Sequence, residues 1–448
     1  MSATSTASAR VRACLDTIQR ENGDLKAVIS VMPDQALEAA HLADEATERG
    51  DWQGVLHGMP VSVKDQFATA GVRTTLGSDF YRDHIPAHDA EAVRRLKAAG
   101  AIIIAKDNMH EFASGATTQN PHFGSCRNPW NVTRIPGGSS GGSAVTVASG
   151  MAIGSVGTDA GGSVRLPAAL CGVVGLRPTY GSVSCWNDGL PDIDEFVVPG
   201  VLARRVVDVA RLFVAIEGYD HRDRSSTRGR TQNIMGQLLG GIRRLRIGIP
   251  VGSFFDDVDP EIASAMRFAI DVLRSLGADA VEISLPDVDL VAPHFNAIRW
   301  AQGAAALERH LTSEPERFGQ DVLEALMSGL NVTGVEYARA ISWRRDWKRS
   351  VADLFDQVDV VISPTSPTPA PPLTAPSFWM PPIGSLLRAW SMAGVPSMSL
   401  PCGFTDDNMP IGMEMAGQPW AESRLLQLGV AYQAVTDWHL RRPPAIVA

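Results

Sequence analysis

One run constrains this chain more than any other: IPGGSSGGSAVTVASGMAIGSVGTDAGGSVRLPAA, residues 135–169. Its glycine and serine density is that of a tether, but a solvated linker has no use for apolar residues. Here Ala144, Val145, Val147, Ala148, Met151, Ile153 and Val156 lie between two glycine clusters. The segment between the clusters therefore reads as a buried helix, with a tight glycine loop on either side of it. Such loops let backbone N–H groups approach a reacting atom closely. Glycine needed only for close packing is the other reading of the same run. A phosphate loop is ruled out, because GxxxxGK[ST] needs a lysine and residues 137–142 lead directly into Ser143.

Composition limits what surrounds this run. With 448 residues, 45% hydrophobic and 20% charged, the chain can bury a sizeable core and is not disordered as a whole. The formal net charge is −9 and the basic residues form no long block, so a nucleic-acid partner is not expected and a small molecule is. Cys14, Cys126, Cys171, Cys185 and Cys402 are scattered without a CxxC pair, which predicts reduced thiols, no metal and no cofactor. No stretch reaches the roughly 18 apolar residues of a spanning helix. Residues 1–22 lack an apolar signal core, and Asp16 and Glu21 argue against a transit peptide. The expectation is a cytoplasmic protein without membrane contact.

Helical and strand patterns alternate along the chain. Asp34 can cap a helix over 35–48 that stops at Gly50, HGMPVSVKD reads as a strand, and a helix over 90–99 leads into AIIIAK, an apolar run suited to a strand buried on both faces. RLRIGIP, PEIASAMRFAIDVLRSLG and ADAVEISLP make a βαβ-like unit, and VDVVISPT is a further strand before a proline-rich loop. The predicted fold class is α/β, with a mixed, mostly parallel twisted sheet covered by helices on both faces. The whole of 1–448 reads as a single domain, with a charged surface excursion over 218–233 and no internal repeat.

These residues also carry a family resemblance. GGSSGGSAVTVASGMAIGSVGTDAGGSVRLPAALCGVVGLRPT resembles the core of the amidase signature family, with its GGSSGGS, TDxGGSxRxPA and CGxxGxKPT blocks. HGMPVSVKD resembles the family's lysine strand and AKDNMHEFASGATTQNPHFGSCRNPWN its next block. SPTSPTPAPPL resembles its late proline loop, and MAGVPSMSLPCGF with MPIGMEMAGQPW its C-terminal strands. The blocks span residues 25–435, and the fold this implies is the amidase-signature fold.

By that resemblance Ser163 is the nucleophile, Ser139 a relay serine in a cis peptide, and Lys64 the base; the two serines stand 24 residues apart, the family's usual spacing. A serine hydroxyl is a weak nucleophile, and a lysine serves as its base only when burial disfavours the ammonium. Asp65 should point to the opposite side of the strand and leave Lys64 without an ion partner. The resemblance places the N–H groups of Ala160, Gly161, Gly162 and Ser163 as oxyanion donors. Ala113 matches a position whose backbone meets substrate, with the small Ser114 and Gly115 beside it. Asp159 and Arg165 are expected to pair as a structural brace. His110 is expected to pack or to support the site from behind it, and Cys126 and Cys171 to be small buried residues.

Phe378, Trp379, Met380 and Trp390 either favour an aromatic group beside the scissile bond or belong to the core or a dimer contact; a homodimer stays open. Ser391 stands where family members often have asparagine. The expected function is hydrolysis of a carboxylic amide through a serine acyl-enzyme, releasing an amine or ammonia. Carbamate, urea-type or ester hydrolysis is the alternative, as is the glutaminase role of the amidase subunit in a tRNA-dependent amidotransferase. Against the last, that subunit usually carries a stretch like SLDQIGP where this chain reads DEFVVPGVLARR.

Overall fold

The computed structural model describes residues 6–191, 195–229, 233–252, 254–374 and 384–444. Eleven strands form one sheet: β1 (Val28–Val31), β2 (Met59–Lys64), β3 (Ala101–Asp107), β4 (Gly154–Asp159), β5 (Val174–Arg177), β6 (Val198–Ala203), β7 (Arg246–Pro250), β8 (Asp279–Ile283), β9 (Val360–Pro364), β10 (Ser397–Phe404) and β11 (Pro410–Gly417). Their spatial order is β1-β3-β2-β4-β6-β5-β10-β11-β9-β7-β8. Strands from the first half of the chain therefore occupy one half of the sheet, and the two halves join where β5 pairs with β10.

The sheet is mixed, and helices cover both its faces. Parallel pairing links β3, β2 and β4 on one flank and β9, β7 and β8 on the other. The centre, from β4 through β6, β5, β10 and β11 to β9, is antiparallel, as is the β1 edge. The sheet is thus less parallel than the helix–strand alternation suggests, because that alternation is confined to the flanks while β10 and β11 are joined by a short loop, 405–409. AIIIAK behaves as expected. Ala101 and Ile103 enter one apolar cluster and Ile102 and Ile104 another, on opposite faces of β3.

Local signals account for the element ends. Helix Pro33–Arg49 begins with Pro33 after Met32 as its N-cap, so Asp34 lies in the first turn instead of capping it, and it stops at Gly50 in the left-handed region, φ 78°. The segment between the glycine clusters is a buried helix only over Gly141–Ser149; Gly150 ends it and the chain enters β4, which takes Val156. Close packing is part of this cluster's work, since a Cβ on Gly142 would lie 2.3 Å from the Asn108 carbonyl oxygen. The excursion after Gly218 is pinned at its base: Asp220 accepts from Ser184 Oγ at 2.8 Å and Asp223 from Cys185 N at 2.7 Å. Residues 230–232 of it lie outside the described residues. No described helix is long and apolar enough to cross a membrane.

Candidate active site

β2 presents two environments. Val61 and Val63 enter the apolar core, whereas Ser62 and Lys64 meet polar partners on the other face. Lys64 is fully buried; its Nζ donates to Ser139 Oγ at 2.7 Å and to Thr158 Oγ1 at 2.8 Å, and Thr158 Oγ1 donates to Gln66 Oε1 at 2.7 Å. Burial holds the Lys64 ammonium well below the ordinary lysine range; Asp159 opposes this and Arg299 reinforces it. Asp65 faces the other way. Its Oδ2 accepts from Thr75 N at 2.8 Å, and its Oδ1 lies 3.5 Å from Lys106 Nζ.

The first glycine loop reaches this lysine through Ser139, and the second is tied to the first. Ser139 follows Gly138 through a cis peptide bond, and its carbonyl accepts from His110 N at 3.1 Å. Ser140 N donates to the Ser163 carbonyl at 3.1 Å, and Ser140 Oγ donates to the Thr158 carbonyl at 3.1 Å, so the loops are tied to each other and to β4. Ser163 is half-buried in the wall of a cavity of about 440 Å³, which Ala113, Ser114, Gly138, Gly161 and Gly162 also line. Gly162 has φ 122°, and a Cβ there would meet Leu387 Cδ1 at 2.5 Å, so no other residue fits this turn.

One of the expected oxyanion positions needs correction. The Gly162 N–H is already donated to Asp159 Oδ1 at 2.9 Å, because that carboxylate folds back over the loop to collect its N–H groups. Ala160 packs in the apolar cluster with Phe196 and Phe295. The Ala113 carbonyl accepts from Arg299 Nη2 at 2.9 Å, so the Ala113 oxygen is held from behind.

The family described as Amidase matches residues 9–426. The chain belongs to the amidase family. It is 38% identical over 463 residues to a glutamyl-tRNA(Gln) amidotransferase subunit of Chromohalobacter salexigens, covering 96% of this chain and 94% of the relative. A chain of a vestigial protein complex, described as revealing the evolutionary origins of an s-triazine catabolic enzyme, superposes with TM-score 0.91 at 32% identity, covering 98% of this chain and 97% of that one. The native peptide amidase of Stenotrophomonas maltophilia superposes with TM-score 0.87 at 30% identity, covering 99% and 96%. The fold is that of amidase-signature enzymes.

In this amidase the Asp159–Arg165 brace is present and larger than the sequence suggested. Arg165 reaches Asp159 Oδ1 at 2.9 Å, Glu414 Oε1 at 2.8 Å and Ser391 Oγ at 2.8 Å, and Arg177 Nε lies 3.4 Å from Asp159. Ser391 is therefore spent on Arg165. Burial opposes the Asp159 charge, yet Arg165 and Arg177 outweigh it and pull the carboxyl down to about 2. His110 lines the cavity with both ring nitrogens engaged: Nδ1 accepts from Thr118 N at 3.2 Å and Nε2 lies 2.9 Å from Asp321 Oδ2. Cys126 and Cys171 are fully buried, and burial raises both thiols.

The aromatic wall comes from a different element. Trp390 is fully buried and stacks on Phe254 with ring centroids 5.9 Å apart, which makes it core; Phe378, Trp379 and Met380 lie outside the described residues. The cavity instead takes Phe295, Arg299 and Trp300 from helix Val291–Ala306 and Arg388 from helix Ser385–Ala393. The available signal was Phe295 and Arg299 four apart on one helical face, an arginine inside an apolar pattern.

Proposed function

We propose that this amidase hydrolyses a small-molecule carboxylic amide through an acyl-enzyme on Ser163, with Ser139 as relay and Lys64 as base. The supporting observation is the 2.7 Å contact between a fully buried lysine and Ser139, next to a cavity that Ser163 lines. Neutral Lys64 Nζ takes the Ser139 proton as Ser139 takes that of Ser163, and the Ser163 oxygen adds to the amide carbon. The negative oxygen is stabilised by the N–H groups of Gly161 and Ser163; one such donor is worth about 2.7–4 kcal/mol. The proton returns along the same path to the departing nitrogen, and water then releases the acid. Residues 1–448 act as a single unit in this reading, since the cavity draws on 110–166 and on 295–388.

A second reading, the glutaminase component of an amidotransferase, is favoured by the relative that is 38% identical. The stretch after the nucleophile weighs against it: Phe196 of EFVVPG stacks on the cavity residue Phe295 with centroids 4.6 Å apart, giving that wall an apolar backing. The purified chain alone, given aryl amides, aliphatic amides, carbamates and glutamine, should release amine from a simple amide, and a fluorophosphonate should label Ser163 in a tryptic digest. An adduct on another serine, or turnover of glutamine only once partner subunits have been added, would overturn the first reading.

A further inference from the structure

Arg388, half-buried, differs from the buried arginines of the brace. Arg165 has Asp159 and Glu414 and Arg177 has Asp159, whereas no carboxylate of the described residues forms an ion pair with Arg388. Its side chain runs along the second glycine loop, where a Cβ on Gly161 would sit 3.7 Å from Arg388 Cγ, and its guanidinium lies 5.7 Å from the centroid of the Phe295 ring. Both residues line the cavity with Ser163. Arg299 faces the same space, and burial together with the Arg388 charge brings its guanidinium down to about 10. The acidic residues of the cavity are engaged elsewhere: Asp321 lies against His110, and the exposed Glu324 accepts from Gln320 at 2.9 Å. A guanidinium partly withdrawn from water, as that of Arg388 is, is costly until an anion arrives.

We propose that the amide this site takes carries a carboxylate, bound by the Arg388 guanidinium with Arg299 reinforcing the positive field. The proposal rests on the amidase reading and adds the substrate class to it. A planar guanidinium meets a carboxylate in two parallel hydrogen bonds, which fixes the orientation of the scissile amide as well as its charge. Binding can be tested apart from turnover. Ser163→Ala protein is titrated calorimetrically with malonamate, succinamate, glutaramate and N-acetylglycine, each beside its uncharged methyl ester. At least one acid should bind about ten-fold or more tightly than its ester, the size of a charged hydrogen-bond pair. Adding Arg388→Met, or Arg388→Gln as a second variant, should bring acid and ester together, and Arg388→Lys should keep part of the preference. Equal binding of every acid and ester by the Ser163→Ala protein, or a preference that survives loss of the guanidinium, would overturn the proposal. Failure of the wild type to release amine from any amide would sink the amidase reading and leave the titration interpretable.

Discussion

Lys64 ends a strand whose alternate residues are valines, and that placement gives it its chemistry. Facing away from the Val63 side, it meets hydroxyls, while Asp65 is taken by Lys106 and Thr75. Burial lowers its affinity for a proton, so the neutral amine is the form populated as pH rises through that depressed value. kcat/KM should accordingly rise with pH along a limb that lies below the ordinary lysine range of about 10.4. Lys64→Ala should lose about 100- to 10,000-fold, the usual worth of a general base. Lys64→Arg should lose as much, because guanidinium stays protonated. pH–rate profiles of the wild type and both variants check this; an active Lys64→Arg with an unchanged limb would place the base elsewhere. Lysine in a strand is legible in the sequence, but its face is set by the register of β2 against β3 and β4.

Between elements, Asp107 does the joining. It lies at the end of β3, and its Oδ2 accepts from Ser62 of β2 at 2.9 Å, Ser143 of helix Gly141–Ser149 at 2.9 Å and Ser155 of β4 at 2.6 Å. One carboxylate thus fixes the strand carrying Lys64, the helix after Ser139 and the strand leading to Ser163. Burial lifts its carboxyl to about 6 despite these hydroxyls, and its Oδ1 has no hydrogen-bond partner. The folded chain therefore holds this proton more tightly than the unfolded chain does, and stability from this group declines as pH rises from about 4 through about 6. Asp107→Asn imitates the protonated form, so the stability of the wild type relative to that variant should fall over this window, as read by urea denaturation at pH 4, 5, 6 and 7. Asp107→Ala strands three buried hydroxyls and should cost about 3 kcal/mol or more. A wild-type-to-Asn difference that stays flat with pH would show the carboxyl titrating normally.

At the scale of the molecule, the sheet order separates two tasks. β1 to β6 carry Lys64, Ser139 and Ser163, while the second half supplies Phe295, Arg299 and Arg388 to the cavity wall. The connection between the halves passes through the excursion, where Arg224 and Arg228 are accessible to trypsin. Limited digestion should cut there, and the two fragments should co-elute on gel filtration, because β5·β10 pairing and the shared core still hold them. Fragments that separate without denaturant would show that the halves are independent domains.

Short-range constraints are what this sequence settled by itself. The glycine run, the βαβ pattern, the strand bearing Lys64 and the spacing of Ser139 from Ser163 are local, since backbone conformation and side-chain period act over a few residues. The tertiary structure decided what depends on contacts across hundreds of residues. It put Trp390 in the core, made the sheet centre antiparallel by pairing β5 with β10, and brought Arg388 beside Gly161. An arginine on a helix has the same local pattern whether it faces water or a cavity. Only packing against the Gly161 loop, 227 residues earlier in the chain, distinguishes the two.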